Sequence, residues 1–342
     1  MEGFQRVFSV KSKIKNYSIF TVDTINDFNL FISDFDLVIA DTNVSSHLNN
    51  SLKNIIFIDC SEHLKTWEHL SEILDIFIEY DLNKKSKIII VGGGTLQDAV
   101  SFCCSIYNRG IPFCFAPTTL LSMCDSCIGG KTSINYSGFK NKLGNYFPPD
   151  KIFLFKDFIN TLNDNEILSG LGEIFKFHIL SNGLKKDFLI NKKNLTQKTI
   201  IDSLIYKSKI IERDEFDSGE RLKLNYGHTF GHALESTSNY KIPHGLAVVV
   251  GINIANFISY KMKYLKIDSY YQINQMSKKL ISNLLLDKSW FDMKKLMPII
   301  EKDKKNISGI RMMIMCDSGF DLKTMNSQDL FEIVNEFIET EI

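Results

Sequence analysis

Four short apolar runs in the first half of the chain constrain the fold more than any other feature of the sequence. They occupy residues 37–40, 54–58, 87–91 and 112–116. Continuous apolar runs bounded by turn residues are typical of strands that are buried on both faces. Residues 69–80 lie between two of these runs and have helical spacing, and strands that alternate with helices imply a parallel sheet. The sequence therefore predicts an N-terminal α/β domain.

Three of the runs end in polar or glycine-rich turns, at residues 41–43, 92–94 and 117–119. In a parallel sheet ligands bind beyond the carboxyl ends of the strands, so we predict that these turns line a binding site. Glycines between a strand and a helix let the backbone approach a pyrophosphate, and helix-terminal N–H groups bind anions. The stretch 92–98 is not the GxGxxG fingerprint, so by itself it also fits an ordinary tight turn.

Helices dominate the sequence after residue 155. The predicted helices cover residues 164–181, 196–213, 225–238, 245–264, 268–285 and 327–340. One late strand is predicted at residues 311–315. We therefore divide the chain into an α/β domain at residues 1–155 and a helical domain at residues 156–342.

Composition narrows the class of protein. The 40 basic and 40 acidic residues leave no net charge, which argues against a nucleic acid as the main partner. The chain has neither an apolar run of membrane-helix length nor a signal-peptide pattern, which predicts a cytoplasmic protein. Cys124 and Cys127 form a CxxC pair without the second pair that a four-cysteine zinc site needs, so we interpret the seven cysteines as reduced, buried thiols.

A histidine cluster in the helical half carries candidate metal chemistry. His228 and His232 lie four residues apart and would share one face of a helix, and His244 follows them. Together with the upstream carboxylate of Glu173, two imidazoles would make a catalytic zinc site that keeps one position open for a substrate. A lone histidine pair at this spacing is more often surface or satisfied core, so the spacing by itself leaves both interpretations open.

Charged groups between the predicted strands indicate a binding pocket. Asp125, two glycines and Lys131 follow one another closely, and Lys140 and Asn141 come at a second turn. The first stretch resembles the end of a P-loop but lacks the earlier glycine at the required spacing, so we exclude nucleotide binding by a P-loop. Polar groups among turns in an apolar stretch favour a pocket over a solvated face.

Further cations accompany the candidate metal ligands. Lys176 comes three residues after Glu173, so one helix would present both on one face. The others are Lys207, Arg221, Lys304 and Lys305. Each alone is typical of surface charge, but together they would hold an anionic substrate such as a phosphorylated sugar acid.

In this order along the chain, these stretches resemble the 3-dehydroquinate synthases and their relatives, the sugar phosphate cyclases. The resemblance covers about residues 41–305, and the combination of motifs is highly specific. The matching motifs lie at residues 92–98, 107–113, 117–121, 125–135, 140–141, 169–176, 214–215, 225–235 and 244–245.

The resemblance implies a Rossmann-like, NAD-binding α/β domain followed by a helical domain that binds metal and substrate. It implies two cofactors, NAD and a divalent metal, zinc or cobalt. The implied metal ligands are Glu173, His228 and His244, which leaves His232 as a proton-transfer residue.

The same resemblance implies roles for the remaining candidates. Asp217, Lys176 and Asp125 would join His232 as catalytic residues. The positions that contact NAD would be Asp41, Asn43, Glu62, Lys65, Gly93, Gly94, Asp98, Thr118, Thr119, Lys140 and Thr161. The positions that contact substrate would be Arg109, Asp125, Lys131, Asn141, Lys176, Lys207, Arg221, Asn225 and one of Lys304 or Lys305. Arg109 resembles an arginine that reaches the site of a neighbouring subunit, which implies a homodimer.

The implied reaction converts 3-deoxy-arabino-heptulosonate 7-phosphate to 3-dehydroquinate, a step of the shikimate pathway to aromatic amino acids. An alcohol whose hydroxyl the metal polarises is transiently oxidised by NAD, and phosphate then leaves by elimination. The hydride returns and an intramolecular aldol reaction closes the ring. Lysines and arginines would hold the phosphate and carboxylate of the substrate.

Three positions depart from the pattern of the family. Gln97 replaces a usual glycine, Asp217 replaces a common glutamate, and Leu246 replaces a usual glutamate after His244. Three alternatives therefore remain: another cyclase that acts on a heptulose 7-phosphate or glucose 6-phosphate, a metal-dependent NAD alcohol or polyol dehydrogenase, and a non-catalytic relative. The intact metal and anion-holding positions favour the dehydroquinate synthase.

Overall fold

The computed structural model describes residues 3–137, 139–184, 187–282, 284, 286–301 and 309–342. The chain forms two compact units. The first joins Met1–Asn163 with Ile200–Phe216, and the second joins Asp164–Thr199 with Asp217–Ile342. Both units are discontinuous in sequence, whereas the sequence analysis placed a single boundary at residue 155. A pattern of helices and strands does not reveal that a segment from the helical half belongs to the α/β unit.

Strands and helices are interspersed along the chain. The strands are β1 (Phe4–Val10), β2 (Tyr17–Val22), β3 (Leu37–Asp41), β4 (Ile55–Ile58), β5 (Ile88–Gly92), β6 (Cys114–Pro117), β7 (Lys131–Tyr136), β8 (Phe139–Tyr146), β9 (Lys151–Leu154), β10 (Ile310–Cys316) and β11 (Gly319–Met325). The α-helices are α1 (Ile25–Ile32), α2 (Trp67–Glu79), α3 (Gly94–Ile106), α4 (Asp164–Asn182), α5 (Gln197–Arg213), α6 (His228–Thr237), α7 (His244–Lys261), α8 (Ile267–Ile281), α9 (Met293–Glu301) and α10 (Ser327–Glu341).

A seven-stranded sheet in the order β1-β2-β9-β6-β5-β3-β4 forms the core of the first unit. β1 pairs with β2 in antiparallel fashion, and every other neighbouring pair is parallel. All residues of the central strands β3 and β5 are buried, as the continuous apolar runs predict. β4 lies at the edge of the sheet, so its residues keep partial exposure. The predicted α/β architecture is confirmed.

The carboxyl ends of β3, β5 and β6 are neighbours because these strands are adjacent in the sheet. The turns at 41–43, 92–94 and 117–119 therefore lie along one edge, where ligands of parallel sheets bind. The hairpin of β7 and β8 was not predicted from the sequence. Its strands are largely polar and partly exposed, so they lack the apolar run that identified the other strands.

Helices form most of the second unit, together with the β10–β11 hairpin. α7 is its central helix and is buried from Gly245 to Ser259, because most of its residues on all sides are apolar or small. α6 begins at His228, three residues later than predicted, because Gly227 adopts a left-handed conformation that ends the preceding turn. No helix of the described residues has both the length and the hydropathy that a bilayer span requires.

Candidate functional site

Three candidate metal ligands from three helices meet in the second unit. Glu173 comes from α4, His228 is the first residue of α6, and His244 is the first residue of α7. Oε1 of Glu173 lies 3.6 Å from Nε2 of His228 and 3.4 Å from Nε2 of His244. One ligand atom from each residue lies within 4.8 Å of the other two. We call these three residues the Glu–His cluster.

Glycines at a helix crossing bring Glu173 and His244 together. A Cβ atom on Gly172 would lie 2.3 Å from the carbonyl oxygen of Gly245, and one on Gly245 would lie 1.8 Å from that of Ser169. Any side chain at these positions would push α4 and α7 apart. The backbone N–H of Gly245 also donates a hydrogen bond of 3.1 Å to the Ser169 hydroxyl. Since each glycine is the sequence neighbour of a cluster residue, close backbone packing sets the distance between the ligands.

The charges of the Glu–His cluster depend on one another. Burial raises the pKa of the Glu173 carboxyl, but the Lys176 ammonium and His244 outweigh burial and bring the pKa down to about 2. Burial, with Lys176 nearby, lowers the pKa of His228 well below its usual range. Burial also lowers the pKa of His244, but hydrogen bonds with Glu173 and Glu235 outweigh it and raise the pKa to about 10. The cluster thus contains an ionised carboxylate, a neutral His228 and a proton on His244 that a cation would displace.

The donor set fits a divalent metal. Glu173 is 0% exposed; its Oε2 pairs with the Lys176 ammonium, and its Oε1 faces the two imidazole nitrogens. Burying an ionised carboxylate is costly unless cations or hydrogen-bond donors compensate it. One carboxylate and two imidazoles are ligands that zinc and cobalt accept, and they leave a coordination position open.

Each histidine of the cluster presents Nε2 to Glu173 because its Nδ1 has another partner. Nδ1 of His244 lies 3.0 Å from Oε2 of Glu235, and Nδ1 of His228 lies 3.2 Å from the carbonyl oxygen of Tyr226. Both partners accept hydrogen bonds, so Nδ1 is the donor in each case. In a neutral ring the lone pair is then on Nε2, the arrangement that metal-binding histidines use.

His232 lies beside the Glu–His cluster and is exposed. Its ring centroid is 5.2 Å from that of His228 and 5.9 Å from that of His244. His232, Glu235 and His244 form a second group whose ligand atoms lie within 4.8 Å of one another. Geometry by itself therefore leaves two roles open to His232, metal ligand and proton-transfer group.

A cavity of about 300 Å³ adjoins His228 and His232. Two other residues that the sequence singled out, Asp217 and Asn225, also line it. Arg311 of β10 lines the cavity as well, and sequence reasoning missed it. The strand was predicted at residues 311–315, but nothing in its pattern indicated that its first side chain would line this cavity.

Two further cations of the second unit are buried. Lys176 is 1% exposed, its ammonium forms an ion pair with Oε2 of Glu173, and it lies 4.8 Å from the ring centroid of Phe177. Arg221 is 4% exposed and lies in the short helix Glu220–Asn225. Lys304 and Lys305 lie outside the residues that the structure describes.

In the first unit, four polar side chains form a connected network that we call the Lys65 network. Nζ of Lys65 lies 2.7 Å from Oδ2 of Asp98 and also donates to Oδ1 of Asn141. The Ser133 hydroxyl donates to the same two acceptors, at 3.1 Å and 2.9 Å. Burial raises the pKa of Asp98, and the ammonium of Lys65 opposes that rise only in part. The predicted NAD-contacting residues Lys65 and Asp98 are thus joined to Asn141, which was predicted to contact substrate.

The turns at the strand ends contain further predicted residues. Asp41 accepts hydrogen bonds of 2.9 Å from the backbone and side-chain nitrogens of Asn43. A Cβ on Gly93, the residue before α3, would lie 3.0 Å from Cγ2 of Thr119. The N–H of Thr118 donates to the carbonyl of Gly92 at 2.9 Å. The start of the 13-residue helix α3 therefore lies against the β6 turn, an arrangement typical of anion-binding sites.

The remaining predicted residues of the first unit are more scattered. Glu62 lies 3.7 Å from Lys140, a half-exposed pair, and Thr161 donates its hydroxyl to the carbonyl of Phe158. Nζ of Lys207 lies 2.6 Å from Oδ1 of Asp125 and donates to its carbonyl oxygen at 2.7 Å. Lys131, at the start of β7, and Arg109, which has a positive φ of 61°, are also exposed.

The three departures from the family pattern are also visible. Leu246 is 1% exposed within α7, and Asp217 has a φ of 60° at the cavity. Gln97 is 3% exposed in α3, and its side-chain oxygen has no hydrogen-bond partner among the described residues. All seven cysteines are free thiols; Cys60 and Cys114 are half-buried and the others are buried.

Two family models match consecutive parts of the chain. The model for the N-terminal part of 3-dehydroquinate synthase matches residues 55–169, and the model for its C-terminal part matches residues 170–306. The 3-dehydroquinate synthase of Clostridium tetani is 36% identical over 280 residues, which cover 78% of this chain and 74% of that protein.

Solved structures share the fold at lower identity. A crystal structure of 2-deoxy-scyllo-inosose synthase, complexed with carbaglucose-6-phosphate, NAD+ and Co2+, superposes with a TM-score of 0.83 at 20% identity and covers 97% of this chain and 99% of its own. The 2-epi-5-epi-valiolone synthase of Streptomyces hygroscopicus, with NAD+ and Zn2+ bound, gives a TM-score of 0.80 at 20% identity, covering 99% of this chain and 100% of its own.

Proposed function

Because this chain belongs to the 3-dehydroquinate synthase family, we propose that it converts 3-deoxy-arabino-heptulosonate 7-phosphate to 3-dehydroquinate and releases phosphate. It is a carbon–oxygen lyase that uses NAD and a divalent metal, zinc or cobalt. The observation that carries the proposal is the Glu–His cluster, in which one oxygen of a fully buried carboxylate faces two imidazole nitrogens.

Glu173, His228 and His244 are the residues that would hold the metal. A metal at this position would polarise a substrate hydroxyl, make it more acidic and orient it for oxidation. Lys176 neutralises part of the Glu173 charge from the side of Oε2, while Oε1 points at the two histidines. Glu235 keeps the His244 ring in the orientation that directs Nε2 at Glu173.

The turns at the carboxyl ends of the strands in the first unit would hold NAD, which supplies a reversible hydride transfer with no net redox change. The backbone at Gly93 and Gly94, at the start of α3, suits the pyrophosphate. The Lys65 network and the polar side chains of the neighbouring turns suit the other polar groups of NAD. These residues are Asp41, Asn43, Glu62, Thr118, Thr119, Lys140 and Thr161.

The chain's own side chains would bind the anionic substrate and move its protons. His232 is exposed and lines the cavity, where an imidazole can exchange protons with a bound substrate. Asp217 lines the same cavity and is the second proton-transfer candidate. Lysine and arginine side chains would hold the phosphate and carboxylate. We assign substrate contacts to Arg109, Asp125, Lys131, Asn141, Lys176, Lys207, Arg221, Asn225 and Lys304.

Two broader properties belong to the same proposal. We propose a homodimer, in which the exposed Arg109 at its left-handed turn reaches the site of the second subunit. We also propose the cytoplasmic location that the sequence predicts. Sedimentation of the purified protein tests the first, and a monomeric enzyme with full activity would contradict it.

A phosphate-release assay tests the activity. Purified protein with NAD and Zn2+ or Co2+ should release phosphate from 3-deoxy-arabino-heptulosonate 7-phosphate and should not accumulate NADH. Release only from sedoheptulose 7-phosphate or glucose 6-phosphate would assign another cyclase activity. Net NADH formation with a polyol would assign a dehydrogenase, and the absence of both metal and NAD binding would assign a non-catalytic relative.

A further inference from the structure

A buried tyrosine connects the candidate ligand His228 to the central helix of the second unit. Tyr226 is 0% exposed, and its hydroxyl donates a hydrogen bond of 2.7 Å to Oδ1 of Asn256 in α7. Its backbone carbonyl accepts the hydrogen bond of 3.2 Å from Nδ1 of His228. The same residue therefore contacts α7 through its side chain and the His228 ring through its backbone.

The turn before α6 determines where that carbonyl points. Tyr226 has φ −57° and ψ 123°, and Gly227 has φ 81° and ψ −18°. These angles describe a type II turn, which needs glycine at its third position because φ is positive there. A Cβ on Gly227 would lie 2.6 Å from the carbonyl oxygen of Val248 in α7. The turn thus lies directly against the helix that begins with His244.

The Asn256 amide indicates that the hydrogen bond between Tyr226 and Asn256 does more than stabilise the fold. Asn256 is 0% exposed, and its Nδ2 has no hydrogen-bond partner among the described residues. A buried, unsatisfied amide destabilises a protein, and apolar groups in place of both partners are often neutral or stabilising. A purely structural contact between Tyr226 and α7 would be met as well by two apolar side chains.

We infer that Tyr226 and Asn256 are positioning residues that hold His228 in the tautomer and orientation needed to bind the metal. The inference rests on the proposed metal site. α7 would then fix two ligands at once, His244 as its own first residue and His228 through the Tyr226 carbonyl. Direct outer partners of a ligand, such as the Tyr226 carbonyl, change metal affinity by about 10–100-fold when removed, and loss of the hydroxyl that holds this carbonyl in place should act at the lower end of that range.

Zn2+ affinity of the purified protein, measured by competition with a chromophoric chelator, tests this inference. Tyr226→Phe should raise the Zn2+ dissociation constant about tenfold. NMR of isotope-labelled histidine should show that the Nδ1-protonated form of His228 is less populated in the variant. Tyr270→Phe is the matched control, because Tyr270 is 2% exposed and its hydroxyl is bonded to Glu341. It should leave both readouts unchanged.

A double variant separates positioning from stability. Tyr226→Phe combined with Asn256→Leu removes both partners and the unsatisfied amide, so it should unfold at a temperature no lower than Tyr226→Phe alone. If Tyr226 and Asn256 position His228, the Zn2+ affinity of the double variant should stay as low as that of Tyr226→Phe. If they only stabilise the fold, Zn2+ affinity should recover together with the unfolding temperature.

The outcomes of the inference and of the proposed function are distinct. Unchanged Zn2+ affinity in Tyr226→Phe, or a loss equal to that of Tyr270→Phe, overturns the inference even if the wild type is an active cyclase. A wild type that binds Zn2+ but releases no phosphate from any sugar phosphate overturns the proposed function alone. A wild type that binds no Zn2+ overturns the inference.

Discussion

The Lys65 network of the first unit and the Glu–His cluster of the second contain buried charge of different kinds. In the Lys65 network, donors and acceptors satisfy each other: Lys65 and Ser133 both donate to Asp98 and Asn141. In the cluster, the fully buried Glu173 carboxylate pairs with Lys176 through Oε2, and its Oε1 faces two imidazole nitrogens. Polar side chains that satisfy each other are already positioned for a ligand, whereas a metal in the cluster would displace the proton that His244 holds against Glu173. We therefore expect metal binding to change the Glu–His cluster more than NAD binding changes the Lys65 network.

Glu173→Gln should have the largest effect. It removes the only charged ligand of the proposed metal site and leaves the buried Lys176 without its carboxylate. Zn2+ affinity should fall by more than the roughly 100-fold that loss of an outer partner causes. Cyclase activity should fall at least in proportion. Zn2+ titration and phosphate release measure the two effects.

Asp164→Asn is the control for this change, since Asp164 begins the same helix and its side chain is 79% exposed. It should leave Zn2+ affinity unchanged. Full metal affinity in Glu173→Gln would show that the cluster is not the metal site and would remove the contrast with the Lys65 network.

His232→Ala should impair turnover and leave the metal bound. Loss of a proton-transfer group lowers turnover by about 100-fold to 10,000-fold. Zn2+ content after dialysis should match the wild type, and His228→Ala should lose its metal. The second group formed with Glu235 and His244 makes this comparison decisive. Equal metal loss in the two variants would make His232 a ligand.

Lys65→Met should have an intermediate effect on the Lys65 network. It keeps the length of a side chain that is 6% exposed but removes the charge that faces Asp98. In the proposed site Lys65 also contacts NAD, and loss of one charge-assisted hydrogen bond to NAD, about 1.5 kcal/mol, corresponds to about tenfold weaker binding. Fluorescence titration with NADH measures it.

Lys192→Met is the matched control for Lys65→Met, because Lys192 forms an ion pair of 2.6 Å with Asp164 but is 60% exposed. Exposed pairs contribute little, so NAD affinity should not change. If both variants bind NAD as the wild type does, the Lys65 network has no part in the nucleotide site.

Gln97→Leu should have the smallest effect. The buried Gln97 amide oxygen has no partner among the described residues, so an apolar side chain of similar size should raise the free energy of unfolding by up to about 1 kcal/mol. Urea denaturation measures the change, with the exposed Gln328→Leu as control. A decrease would mean that the amide has a ligand or water as its partner in solution.

Much of the fold followed from the sequence because the signals are local. Runs of apolar residues that end at turns located β3, β4, β5 and β6 to within two residues at either end. The β7–β8 hairpin lacked such a run and was missed. Less of the candidate site could be predicted from the sequence. The sequence paired His228 with His232 by helical spacing and offered Glu173 as the carboxylate. Only resemblance to a family replaced His232 with His244 as the second histidine ligand, an assignment that stays a prediction.

The sequence by itself determined the alternation of strands and helices, the polar turns at the strand ends and the residue types available for metal and anion binding. Only the tertiary structure decided which of these residues meet. Close packing at Gly172 and Gly245 brings Glu173 to His244, and Arg311 reaches the cavity from a distant hairpin. The physical reason is that periodicity reports which face of an element is buried, whereas the distance between two ligands depends on how closely separate helices pack.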